Sequence, residues 1–304
     1  MNNIDQVTGL YKNNELQLMC FQIERDSDIF AINVYKIREI IKYDGKITDI
    51  SSDNELILGL VTLRRETIPV VDLRKWFAYD ASDPHKDLNN DAVDSEDVVL
   101  AICEFSSYTV GIRIYKAERI ITKNWSEIFQ VENSFNDKIN NNTRYHDGRL
   151  VQIVDIERML VDAFPWVEDE KNKELEELED MHKDQIVLLA EDSPTAMNIM
   201  KKILKKLHIR FHAFVNGQLL LDHLFNHPDE NIGMIITDLE MPVASGFEVI
   251  KQVKNDKRFR DIPIVVNSSM SGASNEQMAK SLNAQGFISK SNPAEIKEVI
   301  EKFM

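Results

Sequence analysis

Two pairs of segments in the first half of this 304-residue chain repeat each other, and that duplication limits its fold more than any other feature. FAINVYKIREII (Phe30 to Ile41) matches VGIRIYKAERII (Val110 to Ile121) at Ile32/Ile112, Tyr35/Tyr115, Lys36/Lys116, Ile40/Ile120 and Ile41/Ile121, an offset of 80 residues. Further on, IPVVDL (Ile68 to Leu73) matches VQIVDI (Val151 to Ile156) at an offset of 83. Two separate matches at nearly one spacing indicate a duplicated unit. Its β-branched runs, bounded by Asp, Asn and Gly clusters, make each copy a set of short strands. The polar stretches Tyr79 to Asp97 and Glu132 to Gly148 lack apolar periodicity and read as surface loops. Neither has the alternating ligands and Gly of a calcium-binding loop. This half has no Gly-rich phosphate loop, no nucleophile paired with a base and no His or Cys ligand cluster. A β unit without chemistry is expected to serve as a surface for partners.

From Ile186 onward the pattern changes. The apolar run IVLLA (Ile186 to Ala190) is followed by Glu191 and Asp192, then by Ser193 as a helix N-cap and Pro194 at the first helical position. Ile199, Met200, Ile203, Leu204 and Leu207 recur at helical spacing, with lysines largely on the other face. Apolar runs return at Met234 to Ile236, Ile264 to Val266 and Gly286 to Ser289, with helical patterns at GQLLLDHLFNH and PAEIKEVIEKFM. Alternating β and α units predict an open, doubly wound (βα)5 domain with a five-stranded parallel sheet. In such a sheet the carboxyl ends of the strands share one edge, where ligands bind. That edge gathers Glu191, Asp192, Asp238, Ser268 and Lys290. Carboxylates about 4 Å apart repel by roughly 4 kcal/mol per pair at an effective dielectric near 20, so a fold keeps such a cluster only if a cation or a function offsets it. Hard oxygen ligands open to solvent suit Mg²⁺, which takes one or two carboxylates and keeps waters. His223 and His227 have the i, i+4 spacing of a metal pair, but without a third ligand in the sequence nearby they read as surface or partly buried histidines.

Charge separates the halves. Residues 168–180 carry eight acids against two lysines, with no Gly or Pro, and read as a solvated spacer. The expected organisation is therefore a β domain over residues 1–166, an acidic, helical linker over 167–184 and an α/β domain over 185–304. The formal charge of -15 disfavours nucleic acid. No apolar run reaches the roughly 18 residues of a membrane span, and the start has neither a basic nor an apolar leader region. A cytoplasmic protein is expected. Cys20 and Cys103 lie in apolar, strand-like segments and read as buried, reduced thiols.

LGLVTLRRETIPVVDLRKWF (Leu58 to Phe77) resembles the signature of the CheW-like chemotaxis coupling family, and GRLVQIVDIERML (Gly148 to Leu160) its closing strand and helix. The resemblance implies two small SH3-like, five-stranded β-barrels. It also implies that Arg64 takes part in assembly with a CheA-type histidine kinase and the cytoplasmic tips of chemoreceptors. Where that family commonly has Asn-Leu-Arg-Gly, this chain has Thr62, Leu63, Arg64 and Arg65. Residues 184–304 resemble the response-regulator receiver family. That resemblance implies that Asp238 is the phosphoacceptor and that Asp192 and Asp238 bind Mg²⁺ with the backbone carbonyl of Glu240, Glu191 assisting through water. It makes Ser268 the switch hydroxyl, Lys290 the phosphate-binding lysine and Phe287 the aromatic rotor. Receivers usually have Pro directly after the lysine; here Ser291 and Asn292 precede Pro293.

With the given sequence ending at Met304, just past a helical pattern, output is expected from the β half. The pairing is similar to the CheV-type chemotaxis adaptors and implies a non-enzymatic adaptor controlled by phosphorylation. It would sit with membrane receptor arrays through protein contacts, without inserting into the membrane. Other readings are a phosphate sink on a coupling scaffold, an inert scaffold, or a phosphohydrolase with Asp238 as covalent nucleophile. Haloacid-dehalogenase enzymes of that last kind place a second Asp where this chain has Glu240.

Overall fold

The duplicated segments fold into two sheets that exchange strands. The computed structural model describes residues 15–43, 47–49, 54–78, 98–105, 108–130, 138–165, 173–268, 273–290 and 292–304. In the β part, the first copy supplies β1 (Glu15–Gln22), β2 (Ile29–Asn33), β3 (Ile37–Lys42), β4 (Ile57–Leu63), β5 (Glu66–Asp72) and helix α1 (Leu73–Ala78). The second supplies β6 (Val99–Phe105), β7 (Tyr108–Ile114), β8 (Lys116–Asn124), the two-residue β9 (Phe129–Gln130), β10 (Ile139–Arg144), β11 (Leu150–Val154) and α2 (Ile156–Ala163). One sheet runs β3-β6-β7-β5-β4 and the other β8-β1-β2-β11-β10-β9. Replacing each strand by its counterpart turns the first order into the first five places of the second. The central junction between the copies is parallel in each sheet, Val71 opposite Ile112 in one and Gln152 opposite Phe30 in the other, while β3 joins β6 antiparallel. The two expected five-stranded units are thus present as sheets, the second extended to six by β9.

The repeated Asp explains why each copy turns from strand to helix at the same place. Asp72 Oδ1 accepts from the Arg74 backbone N–H at 2.9 Å, and Asp155 Oδ1 accepts from Arg158 N–H at 2.9 Å. Both carboxylates satisfy donors that a helix start leaves unpaired. Asp72 also receives Arg74 at 2.7 Å and the buried Arg113 at 3.1 Å. Trp76 is fully buried, its indole N–H donating to Asp162 Oδ2 at 2.9 Å.

Other sequence expectations are corrected. Part of the segment read as a surface loop, Glu132 to Gly148, is strand β10, paired antiparallel with β11, with Asn141 and Thr143 buried. Its run INNNTR has no apolar alternation, and pairing with β11 overrides that weak local preference. Residues 79–97, the other expected loop, lie outside the described residues. Between β4 and β5, Arg64 and Arg65 form a two-residue turn with φ of 48° and 76°. Both central residues are left-handed, the geometry that best continues the strand twist and usually calls for Asn-Gly. Cys20 and Cys103 are free and buried, and burial, with the charge of Glu118 adding to it, pushes the Cys20 thiol up to about 12.

In the α/β part, β12 (Ile186–Ala190), α3 (Pro194–Lys206), β13 (Arg210–Phe214), α4 (Gly217–Asn226), β14 (Ile232–Thr237), α5 (Gly246–Asn255), β15 (Ile264–Ser268), α6 (Ala273–Ser281), β16 (Gly286–Ser289) and α7 (Pro293–Phe303) alternate. The sheet is parallel throughout, in the order β13-β12-β14-β15-β16. Strand order reverses at β12, which opens a crevice between the ends of β12 and β14. β12, β14 and β15 are buried on both faces and so read as unbroken apolar runs. Ser193 caps α3, its side chain accepting from Ala196 N–H, and Met197, Met200, Ile203 and Leu204 face the core. In the acidic stretch expected to be a helical spacer, helix among the described residues is confined to 173–176. Met181, further along, is buried in the core of the α/β part. No helix among the described residues is long and apolar enough to cross a membrane.

Candidate functional site

At the carboxyl ends of β12 and β14, Glu191, Asp192 and Asp238 bring one carboxylate oxygen each within 4.8 Å of one another. The backbone sets this up: Asp238 N–H donates to the Ala190 carbonyl at 2.9 Å, and Glu191 N–H to Phe214 O at 3.0 Å. Glu191 is fully buried, Asp238 is 4% exposed and Asp192 half-buried, so the cluster sits below the surface with one open side. Lys290, just past β16 and itself buried, reaches across the sheet edge to Glu191 Oε1 at 2.9 Å and Asp238 Oδ2 at 3.0 Å. The remaining Asp238 oxygen accepts from Leu239 N–H at 2.7 Å.

Three carboxylates around one ammonium leave two formal negative charges in a poorly solvated place. Burial lifts the Glu191 carboxyl well above the ordinary glutamate range; Lys290 opposes this, and Asp238 and Asp192 reinforce it. Among the described residues, buried Glu191 Oε2 meets no hydrogen-bond partner. A buried carboxylate oxygen left without a donor is costly unless something absent from the protein satisfies it. An oxygen-only donor set with an excess charge of two and an open side fits Mg²⁺ with its retained waters.

The other expected receiver residues lie at or near the carboxyl ends of β14, β15 and β16. Ser268 is buried at the end of β15, its carbonyl accepting from Lys290 N–H at 3.1 Å. Phe287 is half-buried on β16 opposite Val266, and Glu240 is half-buried in the turn after Asp238. Ser291, whose bond to Lys290 the receiver pattern brings into question, lies outside the described residues. Arg64 belongs to the β part; its side chain is 79% exposed and meets Glu39 at 3.0 Å.

Two supporting residues escape sequence reasoning. A Cβ built on Gly246, at the start of α5, would stand 2.1 Å from the Asp238 carbonyl oxygen, so only Gly lets the helix approach the acidic strand end. The Thr237 hydroxyl donates to the same carbonyl at 2.9 Å. A lone Gly eight residues after an acid was the only available signal, and its spacing carries no meaning until the chain is folded.

The CheW-like domain family matches residues 17–164, and the response regulator receiver domain family matches residues 187–301. The chain is 54% identical to the chemotaxis protein CheV1 of Helicobacter pylori, over 99% of its own length and 97% of that protein's. It is 41% identical to CheV2 of the same organism over 99% and 98%, and 28% identical to CheV3 over 96% of each. Likeness of this extent spans both halves and the stretch that joins them, and the chain therefore belongs to the CheV family of chemotaxis adaptors, a CheW-like coupling domain joined to a response regulator receiver.

Proposed function

We propose that this adaptor couples chemoreceptors to a CheA-type histidine kinase and that phosphorylation of Asp238 controls the coupling. In this reading residues 1–166 form the coupling domain, 167–184 the linker and 185–304 the receiver, working in the cytoplasm against membrane-bound receptors. The observation that carries it is the cluster of buried Glu191 and Asp238 with half-buried Asp192, Lys290 bridging two of its carboxylates.

An Asp238 oxygen attacks the phosphorus of a phosphohistidine; the new P–O bond forms as the P–N bond breaks, and the imidazole leaves with that electron pair. Asp192, Asp238 and the Glu240 carbonyl would hold Mg²⁺, with Glu191 acting through water. Bound there, the ion neutralises charge on the carboxylates and the phosphoryl oxygens. Lys290 moves from Asp238 to a phosphoryl oxygen, a charge-assisted hydrogen bond of the stronger kind. The Ser268 hydroxyl donates to another, and Phe287 shifts with it, biasing the face beside β15 and β16. The chain accepts a phosphoryl group and releases it slowly; it is not a turnover enzyme.

Reconstitution with receptor and kinase tests this. Kinase activity is expected to respond to phosphorylation with native protein and to lose that response with Asp238→Asn, while Arg64→Glu weakens assembly. Kinase output unchanged by either variant defeats the proposal. Phosphate drained from a competing regulator, with kinase coupling unaltered, would instead make the receiver a sink.

A further inference from the structure

Away from the acidic cluster, three half-buried side chains converge that the phosphoryl chemistry does not use. His212 stands on the edge strand β13, His223 on α4, and Glu230 in the connection that leads into β14. His212 Nε2 lies 2.8 Å from Glu230 Oε1, and His223 Nε2 lies 2.8 Å from Glu230 Oε2. The two imidazole rings are 4.7 Å apart, and one donor atom from each of the three residues falls within 4.8 Å of the others. The backbone fixes the carboxylate, with Glu230 N–H donating to His227 O at 3.1 Å and Ile232 N–H to Glu230 O at 2.8 Å. The i, i+4 partner His227 stacks on His223 at 4.3 Å and turns its Nδ1 to the His223 carbonyl.

We infer that His212, His223 and Glu230 form a binding site for a divalent transition ion of the zinc class, separate from the Mg²⁺ site. Two imidazole nitrogens and one carboxylate are a borderline donor set, which suits zinc and its neighbours and gives Mg²⁺ or Ca²⁺ little. Zinc bonds of about 2.0–2.1 Å in a tetrahedron place neighbouring donor atoms about 3.3 Å apart. The 2.8 Å separations here need open by only about half an ångström, a side-chain adjustment. An ion bound there replaces the two Nε2–Glu230 contacts with bonds to itself, each imidazole ligating as the neutral tautomer that carries its proton on Nδ1. Side-chain exposures of 43%, 20% and 22% for His212, His223 and Glu230 leave a route for the ion and room for water as a fourth ligand. β14 runs between Glu230 and Asp238, about 20 Å of extended chain, so the two sites can be addressed independently.

Metal-free full-length protein is titrated with Zn²⁺ against a chromophoric chelator, and with Co²⁺ while recording its visible absorption. A single tight Zn²⁺ and a Co²⁺ band of tetrahedral intensity are expected, unchanged by Asp238→Asn and by excess Mg²⁺. His212→Ala, His223→Ala and Glu230→Gln should each weaken Zn²⁺ by at least about tenfold and abolish the Co²⁺ band. Glu230→Gln keeps both imidazoles and the side-chain shape. Its melting temperature in chelator should match native, with the Zn²⁺-induced rise seen in native protein lost. Absence of tight binding to native protein, or Zn²⁺ retained equally by all three variants, overturns the assignment.

Discussion

Replacing Gly246 with Ala should damage the acidic site without touching any of its charges. The added Cβ would lie 2.1 Å from the Asp238 carbonyl oxygen, 3.0 Å from its carbonyl carbon and 3.0 Å from Leu239 Cα. Real contacts of this kind stay beyond 3.0 Å, so α5 and the end of β14 must separate by about 0.9 Å, the difference between 3.0 and 2.1. Backbone blocks that move; no flexible side chain can swing away. Overpacking of this sort costs about 1–3 kcal/mol. The displaced Asp238 backbone carries the carboxylate held at 2.7 Å by Leu239 N–H and at 3.0 Å by Lys290. A misplacement near 1 Å is enough to slow a positioned reaction by about 10²-fold. The midpoint of denaturant unfolding should therefore fall in Gly246→Ala, and phosphoryl uptake from a small phosphodonor with Mg²⁺, followed by intact mass, should slow by one to two orders of magnitude. Native uptake together with a native midpoint would show that the close approach of α5 does not position Asp238.

Three further outcomes follow from the same geometry. Arg65→Gly should stabilise the chain by about 0.5–1 kcal/mol, since φ of 76° strains any residue but Gly, less the entropy Gly adds to the unfolded state; a lower unfolding midpoint would refute it. Asp72→Ala leaves Arg113, 3% exposed, without its carboxylate and should cost about 3–5 kcal/mol, part of it recovered by adding Arg113→Met; a loss under about 1 kcal/mol would contradict this. Glu191→Gln tests the raised carboxyl by its pH dependence in Mg²⁺-free buffer. An acid whose folded value is raised binds its proton more tightly when folded, so its contribution to stability declines as pH rises from the ordinary value near 4.5 through the folded one. Glu191→Gln should remove that decline, so that its melting temperature gains on native as pH rises above that ordinary value, while Mg²⁺ binding weakens; parallel curves would refute the shift.

The acidic site was legible in the sequence because its strands are buried on both faces. IVLLA and MII are continuous apolar runs, so the first charge after each marks a strand end, and in a parallel sheet all such ends share one edge. Strand exchange in the β part was not legible. The offsets of 80 and 83 reveal two copies, but a strand's own pattern does not name its partner. That β2 lies beside β11, and β7 beside β5, depends on contacts far apart in sequence. β13 was silent for a related reason: every residue of RFHAF is half-buried or exposed, as befits an edge strand, so no apolar run announces it. The same silence hid His212. Spacing alone offers His223 with His227, yet His227 spends its Nδ1 on the helix backbone, and the carboxylate joining His223 to a second imidazole arrives from the next connection. A donor set assembled from an edge strand, a helix and a loop leaves no sequence period behind, whereas His223 and His227, read from their spacing as surface or partly buried, are half-buried and exposed.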